Sequence, residues 1–104
     1  MAVGLHQDVD KIMAGLRREF IVDAGDTLER LFTRLDAHRT GHGSDAAELL
    51  KTLLRDTHTV KGQGGSFDFP SITMIAHRLE DYLAEIDALE PHHIVDTQRF
   101  ISAM

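Results

Sequence analysis

The sequence predicts an all-α protein, an antiparallel up-and-down four-helix bundle, on three observations. Apolar residues recur at spacings of three and four through most of the 104 residues, and no stretch alternates with the period of two that a strand needs. Only two prolines occur, Pro70 and Pro91, each placed where a helix would start. The connections between the amphipathic stretches are short, which makes neighbouring helices antiparallel.

The first stretch carries Leu5, Val9, Ile12, Met13, Leu16, Phe20, Ala24, Leu28, Leu31 and Leu35 in a stripe roughly 160° wide. Gly15 and Gly25 fall on the opposite face, as marks of a bend or a break. As one helix it would span roughly 45 Å, more than the later helices can cover, so its first turns are expected to fold over one end of the bundle as a short extra helix. "HRTGHGSD", residues 38–45, reads as a loop, with Ser44 as the N-cap of the second helix and Asp45 and Glu48 in its first turn. That helix runs to about Phe67 with Ala46, Leu50, Leu53, Thr57, Val60, Gly64 and Phe67 on one face. The third opens at Pro70, with Ile72, Ile75, Ala76, Leu79, Tyr82, Leu83 and Ile86 as its stripe. The fourth opens at Pro91 and leaves room for the natural chain to continue past Met104.

Residues 1–104 suit one domain with a single modest core. No apolar run is long enough to span a membrane, and "MAVGLHQDVDK" turns polar too soon for a signal peptide, so a soluble cytoplasmic protein is expected. The absence of cysteine excludes disulfides, thiolate metal sites and cysteine nucleophiles. A net charge of −6 repels nucleic acid, which leaves proteins as the expected partners. Among the histidines, His38 and His42 are separated by Gly41, and the adjacent His92 and His93 point in different directions; no third ligand accompanies either pair, so neither a metal nor another cofactor is expected. A monomer is expected, because all four helices are needed to close one core.

The stretch "HTVKGQGGSF", residues 58–67, carries Gly62, Gly64 and Gly65 inside an otherwise helical pattern. Each costs about 1 kcal/mol relative to alanine. In helical projection Gly62 and Gly65 lie within about 60° of His58, while Gly64 falls about 120° away on the core side. The first two leave a bare strip beside an exposed imidazole along which another protein can approach; the third lets a neighbouring helix come close. Lys61, one turn from His58, can swing its ammonium towards a group attached to the ring. An exposed nucleophilic imidazole, a cation and an open approach suit a phosphoryl acceptor. The second ring nitrogen needs a partner to fix the tautomer, and Glu80, at the edge of the third stripe, with His77 one turn earlier, can supply it.

These residues resemble the histidine phosphotransfer domains of two-component signalling, most of all the N-terminal phosphotransfer domain of bacterial chemotaxis histidine kinases. The H-x-x-K-G core is His58, Lys61 and Gly62, followed by Gly65 and Phe67, and the downstream histidine and glutamate fall on His77 and Glu80. The resemblance implies phosphorylation of His58 on Nε2, assistance to the phosphoryl group from Lys61, and a hydrogen bond from the ring to Glu80 with His77 nearby. It implies a histidine kinase and receiver domains as partners, docking over Gly62, Gly65, Lys61, Arg55 and Gln63. The chain would be a phosphocarrier and not an enzyme, since it has no glycine-rich nucleotide loop. It departs from the pattern at Gln63, usually a smaller residue, and at Asp68, where relatives often have glycine. The alternatives are a docking bundle that is never phosphorylated and the excised first domain of a longer kinase.

Overall fold

The computed structural model describes residues 2–43 and 45–104, apart from the side chains of Ala2, Val3 and Leu5. Its elements are α1 (Ala2–Arg39), α2 (Ala46–Ser66), α3 (Pro70–Ala84) and α4 (Pro91–Ala103), with no strand among the described residues. α1 packs on α2 and α4, and α3 packs on the same two, closing a ring of four antiparallel helices. Each contributes two residues to one core: Leu31 and Leu35, Leu49 and Leu53, Leu79 and Leu83, Ile94 and Ile101.

The helix boundaries follow from local chemistry. α2 starts one residue later than expected, because Asp45 is its cap and accepts a hydrogen bond from the Ala47 amide at 2.9 Å; Ser44, the expected cap, lies outside the described residues. At its other end the amides of Asp68 and Phe69 turn back to the carbonyls of Gly65 and Gly64, with Asp68 at φ +65° in the left-handed position where glycine is favoured. Pro70 and Pro91 open α3 and α4. α4 also has a capping box, in which Glu90 accepts from the third helical amide while its own amide donates to His93 Nδ1 at 2.9 Å.

α1 is the main departure from the sequence reading. Among the described residues no short helix folds over the bundle; α1 runs unbroken through Gly15 and Gly25 for 38 residues, about 57 Å at 1.5 Å per residue. It sets the long axis of a 60 × 24 × 20 Å molecule, whose radius of gyration of 16.5 Å exceeds the roughly 13 Å of a compact domain this size. The physical reason is that α2, at 21 residues, ends before α1 does, and a break in α1 would create two more helix ends to satisfy. Phe20, buried, marks where the bundle stops: its ring lies 5.6 Å from Phe67 and 5.3 Å from Phe69. Beyond it Val9, Ile12, Met13 and Leu16 are exposed, and the Leu5 side chain lies outside the described residues. The premise of the expected monomer holds for the core, which closes within one chain, but the stripe over residues 9–16 takes no part in it. No helix among the described residues is long and apolar enough to cross a membrane.

Candidate functional site

Thr57 and Val60 are buried against the core, which turns His58, between them in sequence, to the opposite face of α2. Its side chain is 71% exposed. On α3, Ala76, Leu79 and Leu83 are buried, so Glu80 at the edge of that stripe is carried alongside α2. Its carboxylate takes two partners: Oε2 lies 2.6 Å from His58 Nδ1 and Oε1 lies 2.5 Å from Lys61 Nζ. The hydrogen bond from Lys61 first, and then that from His58, hold the Glu80 carboxyl below the ordinary glutamate value of 4.5 against the opposing effect of burial. An ionised carboxylate only accepts, so His58 Nδ1 carries the proton and donates it, leaving the lone pair of the neutral ring on Nε2.

The glycines divide as their positions suggest. A Cβ on Gly64 would stand 2.7 Å from Thr73 Oγ1, so the α2–α3 approach that brings Glu80 to His58 depends on its absence. A Cβ on Gly62 would meet nothing within 4 Å, and one on Gly65 only Thr73 Oγ1 at 3.9 Å. Both face outward beside the exposed ring.

The structure brings His58, Lys61 and Glu80 together and leaves the other candidates apart. Lys61, expected to swing its ammonium towards a group on the ring, is tied to Glu80, because the carboxylate lies between the Lys61 and His58 side chains and takes one on each oxygen. His77 turns to its own helix, with Nε2 3.5 Å from Asp81 Oδ2. Arg55 is exposed, and its Nε donates to Asp56 Oδ1 at 3.1 Å. Gln63 faces a groove between α1 and α2, beside Asp23, Thr27, Asp56 and Thr59. His92 and His93 do not diverge as expected: their rings are 4.0 Å apart, and with Glu90 they bring ligand atoms within 4.8 Å of one another. Glu90 and His93 are there already engaged as the cap of α4, at the positive end of a helix dipole that disfavours a cation.

Two residues escaped the sequence reading. Thr73 packs against Gly64, and its hydroxyl donates to the Lys61 carbonyl at 3.4 Å. The signal was present, since Thr73 sits two turns before Glu80 on the same edge of α3. Arg17 bonds the Phe67 carbonyl through Nε and Asp68 Oδ2 through Nη2, both at 3.0 Å, and nothing in the local sequence links positions so far apart.

The family model for the Hpt domain matches residues 15–101. The chain belongs to the Hpt domain family. Hpt domains are histidine phosphotransfer modules of two-component signalling and work with kinases and receiver domains. The match begins at residue 15, within the exposed stripe of α1 and before Phe20, so the turns of α1 ahead of residue 15 fall outside it. Comparison with curated proteins and with solved structures gives no match.

Proposed function

We propose that the chain is a cytoplasmic phosphocarrier in which His58 Nε2 takes a phosphoryl group from a histidine kinase or a phosphorylated receiver and gives it to a receiver aspartate. In the forward step the Nε2 lone pair forms the N–P bond as the P–O bond to the donor breaks, and the donor oxygen leaves with the electron pair. The ring then carries a substituent on each nitrogen and a positive charge, which the Glu80 carboxylate opposes from the Nδ1 side. Lys61 steadies that carboxylate through its other oxygen. In the return step an aspartate oxygen attacks phosphorus, the P–N bond breaks, and Nε2 recovers its lone pair.

The observation that carries this reading is a single bond: His58 Nδ1 to Glu80 Oε2 at 2.6 Å on a ring that is 71% exposed. It fixes the tautomer while leaving Nε2 open. The bare strip of Gly62 and Gly65 gives a receiver room to approach. No glycine-rich nucleotide loop accompanies the site, so ATP alone should not label the chain. The test is incubation with a cognate kinase and ATP, or with a phosphorylated receiver. Acid-labile, base-stable label that disappears in His58→Gln is expected; absence of label from every donor would leave a docking bundle in its place.

A further inference from the structure

We propose that Arg55 is the cation that meets the phosphoryl group on His58, a catalytic role distinct from that of Lys61. The inference rests on the phosphocarrier reading above and names a further residue in the same site.

The argument starts from where the charges already are. Lys61 and Glu80 occupy one side of the imidazole, the side of Nδ1, and Lys61 is both bonded to the carboxylate and only 23% exposed. One of its three N–H groups is committed to Glu80, and drawing the ammonium away towards Nε2 would cost the carboxylate the partner that most strongly lowers its pKa. The two ring nitrogens diverge, so a substituent on Nε2 points away from this ion pair.

Arg55 stands on the other side. It lies one turn before His58 and about 60° from it in projection, on the flank opposite Lys61. Residues three apart on a helix are surface neighbours, and a helical side chain leans over the turn that precedes it, which here is the turn of Arg55. Its side chain is 73% exposed, and the only bond it makes among the described residues is from Nε to Asp56. The terminal nitrogens of the guanidinium remain to fork onto two phosphoryl oxygens, a geometry that guanidinium matches and ammonium does not.

The experiment separates this role from docking by removing the protein partner. Phosphoramidate can phosphorylate His58 directly: Nε2 bonds phosphorus, the P–N bond of the donor breaks, and the leaving group departs as ammonia after taking a proton from water. With this donor, Arg55→Gln should slow labelling of His58 by about 10-fold, and Arg55→Lys should recover only part of the rate. Titration of the phosphorylated protein by phosphorus NMR should show the phosphoryl group losing its last proton at higher pH in Arg55→Gln than in the unaltered chain. In Lys61→Gln that titration should stay unshifted. Wild-type labelling and an unshifted titration in Arg55→Gln would overturn the proposal, because a pure docking residue predicts both. A shift in Lys61→Gln alone would assign the role to Lys61 instead. Failure of the unaltered chain to label with any donor would count against the phosphocarrier reading itself, a separate result.

Discussion

The α2–α3 seam and the first turns of α1 are both amphipathic helix surfaces, yet one holds the site and the other is bare. In the seam, Gly64 admits Thr73, Leu79 and Leu53 are fully buried, and the same approach lays Glu80 against His58. In α1 the stripe of Val9, Ile12, Met13 and Leu16 keeps its period but meets no other helix, and Ile12 is 61% exposed. Hydrophobic period tells a helix which face to offer; whether the face is covered depends on how far the neighbours extend. A reactive side chain can be placed to within a hydrogen bond only where that covering is complete.

The largest contrast between the two surfaces should appear on truncation. Leu79→Ala, at a fully buried position, should cost about 2–5 kcal/mol by urea denaturation. Ile12→Ala should stay within about 0.5 kcal/mol, because little apolar area leaves the solvent-shielded state. Equal losses would mean that the projecting stripe is covered in solution.

The next effect belongs to the seam's chemistry. Glu80→Gln keeps the shape of the side chain and removes the charge that opposes the phosphorylated ring. A hydrogen bond to a charged group contributes about 1.5–3 kcal/mol, so phosphoryl transfer to His58 should slow by roughly 10- to 100-fold with the fold intact. The pH dependence follows in sign. Because the folded Glu80 value is lowered, its stabilisation is fully present above the ordinary glutamate value of 4.5 and is lost as pH falls through the lower folded value. The stability difference between the unaltered chain and Glu80→Gln, measured by urea denaturation, should therefore be constant above pH 4.5 and shrink as pH falls further.

A smaller pair of substitutions compares the two kinds of glycine within one helix. Gly62→Ala fills open space and should raise stability by up to about 1 kcal/mol. Gly64→Ala places a methyl group 2.7 Å from Thr73 Oγ1, and the overpacking, about 1–3 kcal/mol, should cancel or exceed the same helical gain. Thermal midpoints of the two variants should move in opposite directions, or only that of Gly62→Ala should rise.

Much of the bundle could be read from the sequence, because Leu31, Leu53 and Leu79 fall on stripes whose neighbours lie close along the chain. The partnership of His58 with Glu80 was accessible as well, since each sits at a definable angle to its own stripe. The tie between Lys61 and Glu80 was not, because a flexible lysine has several acceptors within reach and only the packed distance between α2 and α3 selects one. The continuity of α1 was lost for a different reason. Gly15 and Gly25 carry a local helix penalty that the sequence shows, whereas the alternative, two additional uncapped helix ends, is visible only when no loop chemistry is found to satisfy them.

The smallest effect concerns the point where the two surfaces part. Asp68 holds a left-handed conformation that costs a residue with a Cβ about 1 kcal/mol, and Arg17 bonds it in an exposed ion pair whose contribution is at most about 1 kcal/mol. Asp68→Gly removes both, so its net effect in dilute buffer should be within about 0.5 kcal/mol of zero. Salt separates the two contributions. In 1 M salt the Debye length falls to about 3 Å and the ion pair fades, whereas backbone strain does not respond. The glycine variant should then become the more stable protein by urea denaturation. Arg17 would still donate to the Phe67 carbonyl, and Phe20 would still lie between Phe67 and Phe69, so α1 should leave the bundle at the same place. A variant still less stable than the unaltered chain in 1 M salt would show instead that the left-handed conformation at Asp68 carries no strain for glycine to relieve.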